Sequence, residues 1–273
     1  MDKKYLIQSV SALIMSASLI ACSAQNQSKT SMAGAVNPSI WPVAQSPVGL
    51  DPVIEEEITS LMGGMTLRHK VGQVIQGDIG SLTPEDLKVY PLGSVLNGGN
   101  SAPNGDNRSP ASEWIKLADE FYEASKHAYG EGVPFIPLIW GTDAVHGHNN
   151  VPGATVFPHN IGLGATRNPS LMGKIGEITA KEIRVGGQEW TFAPTIAVVR
   201  DDRWGRTYEG YSENPDVTAS YAGELIKGIQ GEPGSENWLK GNNVIATAKH
   251  FLGDGGTTLG IDQGDNADSN RGS

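Results

Sequence analysis

The sequence predicts an α/β domain on a parallel sheet: an incomplete (β/α)8 barrel with about six of its eight units present. Three observations predict it. From Asp51 onward, short apolar runs alternate with longer helical stretches, the pattern of strands joined by right-handed crossovers. Polar residues gather just after the apolar runs: Asp143 and His146 after one, Asp201 to Arg206 after another, Lys249 and His250 at a third. A barrel builds its site at such strand ends. The competing architecture, a doubly wound open sheet, needs a glycine-rich phosphate turn after its first strand. The first plausible strand here runs into Gly77-Asp78-Ile79-Gly80, a poor match.

Ahead of the folded part lies an address. Lys3 and Lys4 precede an apolar stretch, Leu6 to Leu19, broken by small polar residues. A membrane span needs about 20 apolar residues, so this one reads as an export signal. Its end, Leu19-Ile20-Ala21-Cys22, resembles a bacterial lipoprotein cleavage box. Residues 1–22 are therefore expected to be a lipoprotein-type signal, with Cys22 lipidated and the protein attached to a membrane only through that anchor. An ordinary secretory signal is the alternative. Ser23 after the cysteine resembles outer-membrane lipoproteins of Gram-negative bacteria, giving an outer-membrane or periplasmic location. Cys22 is the sole cysteine, which excludes an intrachain disulfide. Residues 23–50, rich in Ser, Gln, Asn and Pro and almost uncharged, read as a tether.

Residues 51–273 are the expected barrel domain. Asp51-Pro52 followed by acids is a helix start, and Ile54, Ile58, Leu61 and Met62 recur at helical spacing. Val71 to Gln76 is expected to be a strand or a helix–strand junction, and Leu92 to Leu96 a strand ending in Asn97-Gly98-Gly99. Ser112 to Tyr129 reads as a helix with Trp114, Leu117, Phe121 and Tyr122 toward the core. Phe135 to Trp140 reads as a strand, although Pro137 cannot donate to a ladder and belongs at a strand's start if anywhere. A helix at Pro169 to Gly186, a strand within Trp190 to Val199, a helix at Pro215 to Ile229 and a strand at Val244 to Phe251 complete the expectation.

Charge narrows the function classes. The 30 acids against 20 bases give a net charge of −10. Nucleic-acid binding needs a basic face that replaces phosphate counterions, so it is disfavoured. A neutral or cationic small ligand stays open.

Three segments can carry chemistry. In Trp140-Gly141-Thr142-Asp143-Ala144-Val145-His146-Gly147-His148, an Asp beside glycines after a strand can accept hydrogen bonds from vicinal hydroxyls, or can simply cap a turn. Arg200-Asp201-Asp202-Arg203-Trp204-Gly205-Arg206 holds three arginines and two acids. That is either a surface salt-bridge cluster or the arginine fork and indole platform that a sugar ring needs. Ala248-Lys249-His250-Phe251-Leu252-Gly253-Asp254-Gly255 puts Lys and His side by side at a strand end. Alternation turns one inward, and the other follows only if the strand is ending. Taken alone, they could equally be a snorkelling lysine and a satisfied core histidine.

Together the three segments resemble glycoside hydrolase family 3, specifically its exo-acting β-glucan glucohydrolases and β-glucosidases. Gly141 to Gly147 matches the family's G-x-D-x-x-x-G, and Lys249-His250-Phe251 is its K-H-F. Ala193-Pro194 with Arg200 to Arg206 matches A-P…R-D-P-R-W-G-R, with Asp202 where proline is usual, and Tyr208-Glu209-Gly210-Tyr211-Ser212-Glu213 continues the match. The resemblance implies that Asp143, Arg206, Lys249 and His250 bind the non-reducing glucose of β-glucosides or β-glucan oligosaccharides. It implies no cofactor and no metal. It also implies a nucleophilic Asp in a Ser-Asp-Trp context and an acid/base from a following domain. No Ser-Asp-Trp occurs here, so these residues are expected to be a truncated front part, inactive by itself, of a retaining enzyme.

Three alternatives differ. The family's β-N-acetylhexosaminidases carry K-H-F-P-G-H-G, whereas here Lys249 to Gly255 has no second histidine. A metal-dependent barrel hydrolase would use His146-Gly147-His148 as a zinc pair, with only His159 and His250 left to complete it. A sugar-binding lipoprotein needs no catalytic carboxylate at all.

Overall fold

The structure, a computed structural model, describes residues 49–262 except Leu252. The expected signal with Cys22, nearly all of the tether, and residues 263–273 lie outside the described residues.

Helix α1 (Pro52–Gly64) begins as the sequence dictates. Asp51 Oδ1 accepts from the Val53 amide at 2.9 Å, and Pro52 occupies a first-turn position that has no partner for an N–H. Then follow α2 (Leu67–Gln73), β1 (Gln76–Asp78), α3 (Pro84–Leu87), β2 (Ser94–Asn97), α4 (Ala111–Ser125) and β3 (Ile139–Thr142). After these come α5 (Asn160–Ala165), α6 (Ser170–Val185), β4 (Trp190–Thr191), α7 (Pro215–Gln230) and β5 (Ile245–Ala246).

All strands pair in parallel in chain order, β1-β2-β3-β4-β5. A doubly wound sheet reverses its order at a switch point; here each crossover advances in the same direction, as in a barrel. The described residues hold a five-stranded sheet, against the expected six or so units.

Two apolar clusters flank the sheet. Leu87, Val95, Trp114, Phe121 and Trp140 form one. Leu163, Met172, Ile175, Ile183, Tyr221, Leu225 and Val244 form the other. In the second, α6 and α7 approach so closely that a Cβ on Gly176 would lie 2.9 Å from Gly228 Cα, so only glycine serves at that crossing.

Several boundaries moved. Val71 to Gln73 finish α2, and β1 starts at Gln76. The strand expected at Phe135 begins only at Ile139, beyond Pro137, because a ladder cannot use a residue without an N–H. The runs at Trp190 and Val244 contribute two paired residues each, followed by a single bridge between Thr195 and Lys249. Trp114 and Phe121 are buried as expected, but Tyr122 is 40% exposed and meets Phe135 edge-on. No residue of α1 is buried, although its apolar residues keep helical spacing.

Candidate functional site

Asp143 follows β3 directly. The strand end beneath it is pinned by neutral side chains. Thr142, fully buried, accepts from Asn97 Nδ2 at 3.0 Å and from Asn150 Nδ2 at 3.2 Å. Asn150 Nδ2 also reaches the Asp143 carbonyl at 3.3 Å. After Asp143 the chain turns at Gly147, whose φ of 94° places a hypothetical Cβ against the Thr155 carbonyl. Any larger residue there would clash and be strained.

Lys249 arrives from β5. Its amide donates to the Pro194 carbonyl at 2.9 Å, and its carbonyl accepts from Ile196 at 2.8 Å, which locks it to the segment after β4. Its Nζ then lies 2.6 Å from Asp143 Oδ1. The Ala193–Pro194 and Lys249–His250 peptides are cis. His250 joins the same cluster, as expected where the strand is ending: Nδ1 lies 2.6 Å from Asp254 Oδ2, and Nε2 lies 3.2 Å from Arg206 Nη2.

Arg206 precedes a 3-10 turn, Thr207–Glu209, that brings Glu209 back beside it. The guanidinium binds the Glu209 carboxylate in a fork, Nε to Oε1 at 2.7 Å and Nη2 to Oε2 at 2.8 Å, the geometry in which arginine is strongest. The Glu209 carbonyl is held by buried Asn160 at 2.7 Å. The bond to Glu209 holds the guanidinium still more firmly protonated, against some opposing burial. Burial resists ionisation of Glu209, yet the hydrogen bond and charge of Arg206, with the charge of Lys249, outweigh it, and the carboxyl lies below its ordinary range. Glu209 thus feels Lys249 as well as Arg206, which links the Asp143–Lys249 and Arg206–His250 pairs.

The four residues singled out from sequence therefore meet: Asp143, Arg206, Lys249 and His250. Glu209 and Asp254 were not singled out. The signal for each was present as an acid three residues after Arg206 and four after His250, but such spacing is common in ordinary surface pairs.

Other expectations change. Of the clustered arginines, Arg203 pairs with Asp201 at 2.6 Å on the surface, and Arg200 reaches the Glu213 carbonyl; Arg206 is the member that enters the site. Trp204 is no sugar platform. It is 2% exposed, packs with Ala197 and Val199 and donates to Asp262 at 2.8 Å. The histidines of the zinc alternative part company. His146 meets His159 at 3.9 Å between centroids with its ring tilted by 34°, and His159 meets Tyr208 edge-on. His148 is buried, with neither ring nitrogen in a hydrogen bond of good geometry. Burial pulls its pKa down to about 4 although Glu182 and Gln188 nearby favour the charged form. No group of three His, Cys, Asp or Glu able to hold a metal occurs among the described residues.

A parallel sheet wound in chain order, with ion-paired side chains at the carboxyl ends of its strands, defines an α/β domain of the barrel-like class with a polar cluster at that end. The chain belongs to glycosyl hydrolase family 3: residues 66–269 match the pattern described as "Glycosyl hydrolase family 3 N terminal domain". It is 33% identical over 222 residues to the "Lysosomal beta glucosidase" of Dictyostelium discoideum, covering 76% of this chain and 27% of that protein. It is 28% identical to the "Periplasmic beta-glucosidase" of Salmonella typhimurium, covering 71% and 23%. Among solved structures, the exo-1,3/1,4-beta-glucanase of a Pseudoalteromonas species superposes with a TM-score of 0.78 at 55% identity, over 82% of this chain and 28% of that one. A beta-glucosidase mutant from Listeria innocua in complex with laminaribiose matches with a TM-score of 0.58 at 25% identity, over 76% and 28%. The chain thus spans about a quarter of the length of these relatives.

Proposed function

We propose that this site holds the non-reducing glucose of a β-1,3- or β-1,4-glucan or β-glucoside, within a retaining β-glucosidase or exo-β-glucanase. The observation that carries the reading is the 2.6 Å pair between Asp143 and Lys249, joined across 106 residues. A carboxylate and an ammonium side by side offer an acceptor and donors to neighbouring hydroxyls. The pair is partly open, Asp143 being 37% exposed in its side chain and Lys249 15%, so a sugar can reach it. Hydrogen bonds to charged groups contribute about 1.5–3 kcal/mol each, and several of them fix the ring for attack at its anomeric carbon.

Retention requires a nucleophile and an acid/base about 5–5.5 Å apart. Asp143 is engaged by Lys249 and serves binding rather than attack. The 55% identity to an exo-1,3/1,4-beta-glucanase supports the glucan reading. The loop from Lys249 to Gly255, lacking a second histidine, sets it apart from the hexosaminidases. We further propose a (β/α)8-type barrel domain over residues 51–273, a tether over 23–50, and a lipoprotein signal over 1–22 with lipidation at Cys22. The likeness to a relative named periplasmic supports export.

The test is hydrolysis of an aryl β-glucoside by the whole protein, followed by NMR of the first-formed sugar. The expected product is the β-anomer; the α-anomer as first product overturns the retaining reading. For the address, Cys22→Ser is expected to move the protein from the membrane to the soluble fraction. Unchanged membrane attachment overturns the anchor.

A further inference from the structure

We infer that Asp254 and Glu209 are positioning residues that set how the Arg206–His250 pair meets a sugar, Asp254 by fixing the tautomer of His250 and Glu209 by fixing the plane of Arg206. The inference deepens the glucose-holding reading above and rests on it only for the identity of the ligand.

The tautomer follows from what each partner can do. Arg206 Nη2 faces His250 Nε2 at 3.2 Å. A guanidinium has donors and no acceptor, so Nε2 supplies the lone pair and carries no proton. A neutral imidazole then carries its proton on Nδ1. That nitrogen lies 2.6 Å from Asp254 Oδ2, an acceptor. Which ring nitrogen is protonated is set by the hydrogen bond that the other makes, and here both contacts select one form: neutral, with Nδ1–H donating to Asp254. With its proton on Nε2, His250 would turn a donor toward Arg206.

The orientation of Arg206 follows by counting its five N–H groups. The Nε group and one on Nη2 go to Glu209. The second on Nη2 goes to His250. Among the described residues, the two on Nη1 make no hydrogen bond. One edge of the guanidinium is therefore held by the protein, and the Nη1 edge is left for a hydroxyl. Glu209 is itself fixed, because its carbonyl is anchored by Asn160, 1% exposed. Asp254, His250, Arg206 and Glu209 thus form a row in which each outer carboxylate determines what the inner pair can present.

The experiment is long-range proton–nitrogen NMR of the 15N-labelled full chain near neutral pH, with glucose titrated in. In the wild type, His250 is expected to show a protonated Nδ1 and a pyridine-type Nε2. Asp254→Ala is expected to release the ring, giving a tautomer mixture and glucose binding weakened about tenfold, the loss of one charge-assisted contact. Glu209→Gln is expected to weaken glucose by a similar factor while leaving the His250 tautomer unchanged, a separation that general loss of structure would not produce. A wild-type ring protonated at Nε2, or doubly protonated, overturns the inference, and that measurement needs no variant to fold. An unchanged tautomer in Asp254→Ala overturns the role of Asp254, and undiminished binding in Glu209→Gln overturns that of Glu209. A wild type with the Nδ1–H form that fails to bind glucose keeps the tautomer assignment and overturns the glucose reading instead.

Discussion

Two polar regions lie within one sheet and are built on opposite plans. At the site, Asp143, Lys249, Arg206, Glu209, His250 and Asp254 are charged or ionisable and partly open to solvent. Beneath it, Asn97 is fully buried; its Oδ1 accepts from Trp140 Nε1 and Gln188 Nε2, both at 2.8 Å, while its Nδ2 donates to Thr142. The buried region uses neutral amides, an indole and a hydroxyl, because desolvating a charge costs far more than desolvating a dipole. The open region keeps charge, because partial exposure to solvent lowers the cost of a charge. The difference teaches that the lower network, with its neutral partners, pins the β2 and β3 ends on which the proposed site stands.

The largest effect is expected below the site. Asn97→Leu strips two buried donors of their acceptor. With about 1–3 kcal/mol for each stranded group, stability should fall by about 2–6 kcal/mol, read as a lower urea midpoint at unchanged slope. A loss under about 1 kcal/mol would mean that Trp140 and Gln188 find other acceptors and that the network is not the support described.

The next effect depends on pH. In the unfolded chain His148 takes its proton near 6.5, in the fold only near about 4. Between those values the unfolded state binds more protons, so the contribution is complete above 6.5 and is lost as pH falls toward 4. The loss approaches about 3 kcal/mol. Denaturation midpoints measured across that window should fall more steeply for the wild type than for His148→Gln; parallel curves would show that burial does not hold His148 neutral.

The smallest effect on stability, and a large one on binding, belongs to the site. Asp143→Asn breaks a partly exposed pair, so it should cost only about 1 kcal/mol or less. Sugar affinity should fall at least about tenfold, as expected for a lost charged acceptor. A large stability loss with intact affinity would make Asp143 a structural residue and erase the contrast.

Legibility followed the range of the interactions. The starts of α1 and α7 were readable because capping is local: Asp51 with Pro52, and Asn214, which accepts from the Asp216 amide, with Pro215. The ends of the apolar runs at Trp190 and Val244 were not, because a strand ends where its partner stops offering groups. Trp204 was misread because aromatic character suits a platform and a core equally, and only packing against Ala197 and Val199 distinguishes them.

By itself, the sequence determined the order of helices and strands, the acidic surface, and the three segments that bear Asp143, Arg206 and the Lys249–His250 pair. These follow from period, propensity and the identity of side chains, all carried within a few residues. Only the tertiary structure decided that the segments meet, that Arg206 and neither Arg200 nor Arg203 joins them, and that Glu209 and Asp254 close the row at both ends. Those outcomes depend on distances between residues far apart in the chain. Such distances are set by strand register and by the packing of α6 against α7, neither of which any short stretch of residues contains.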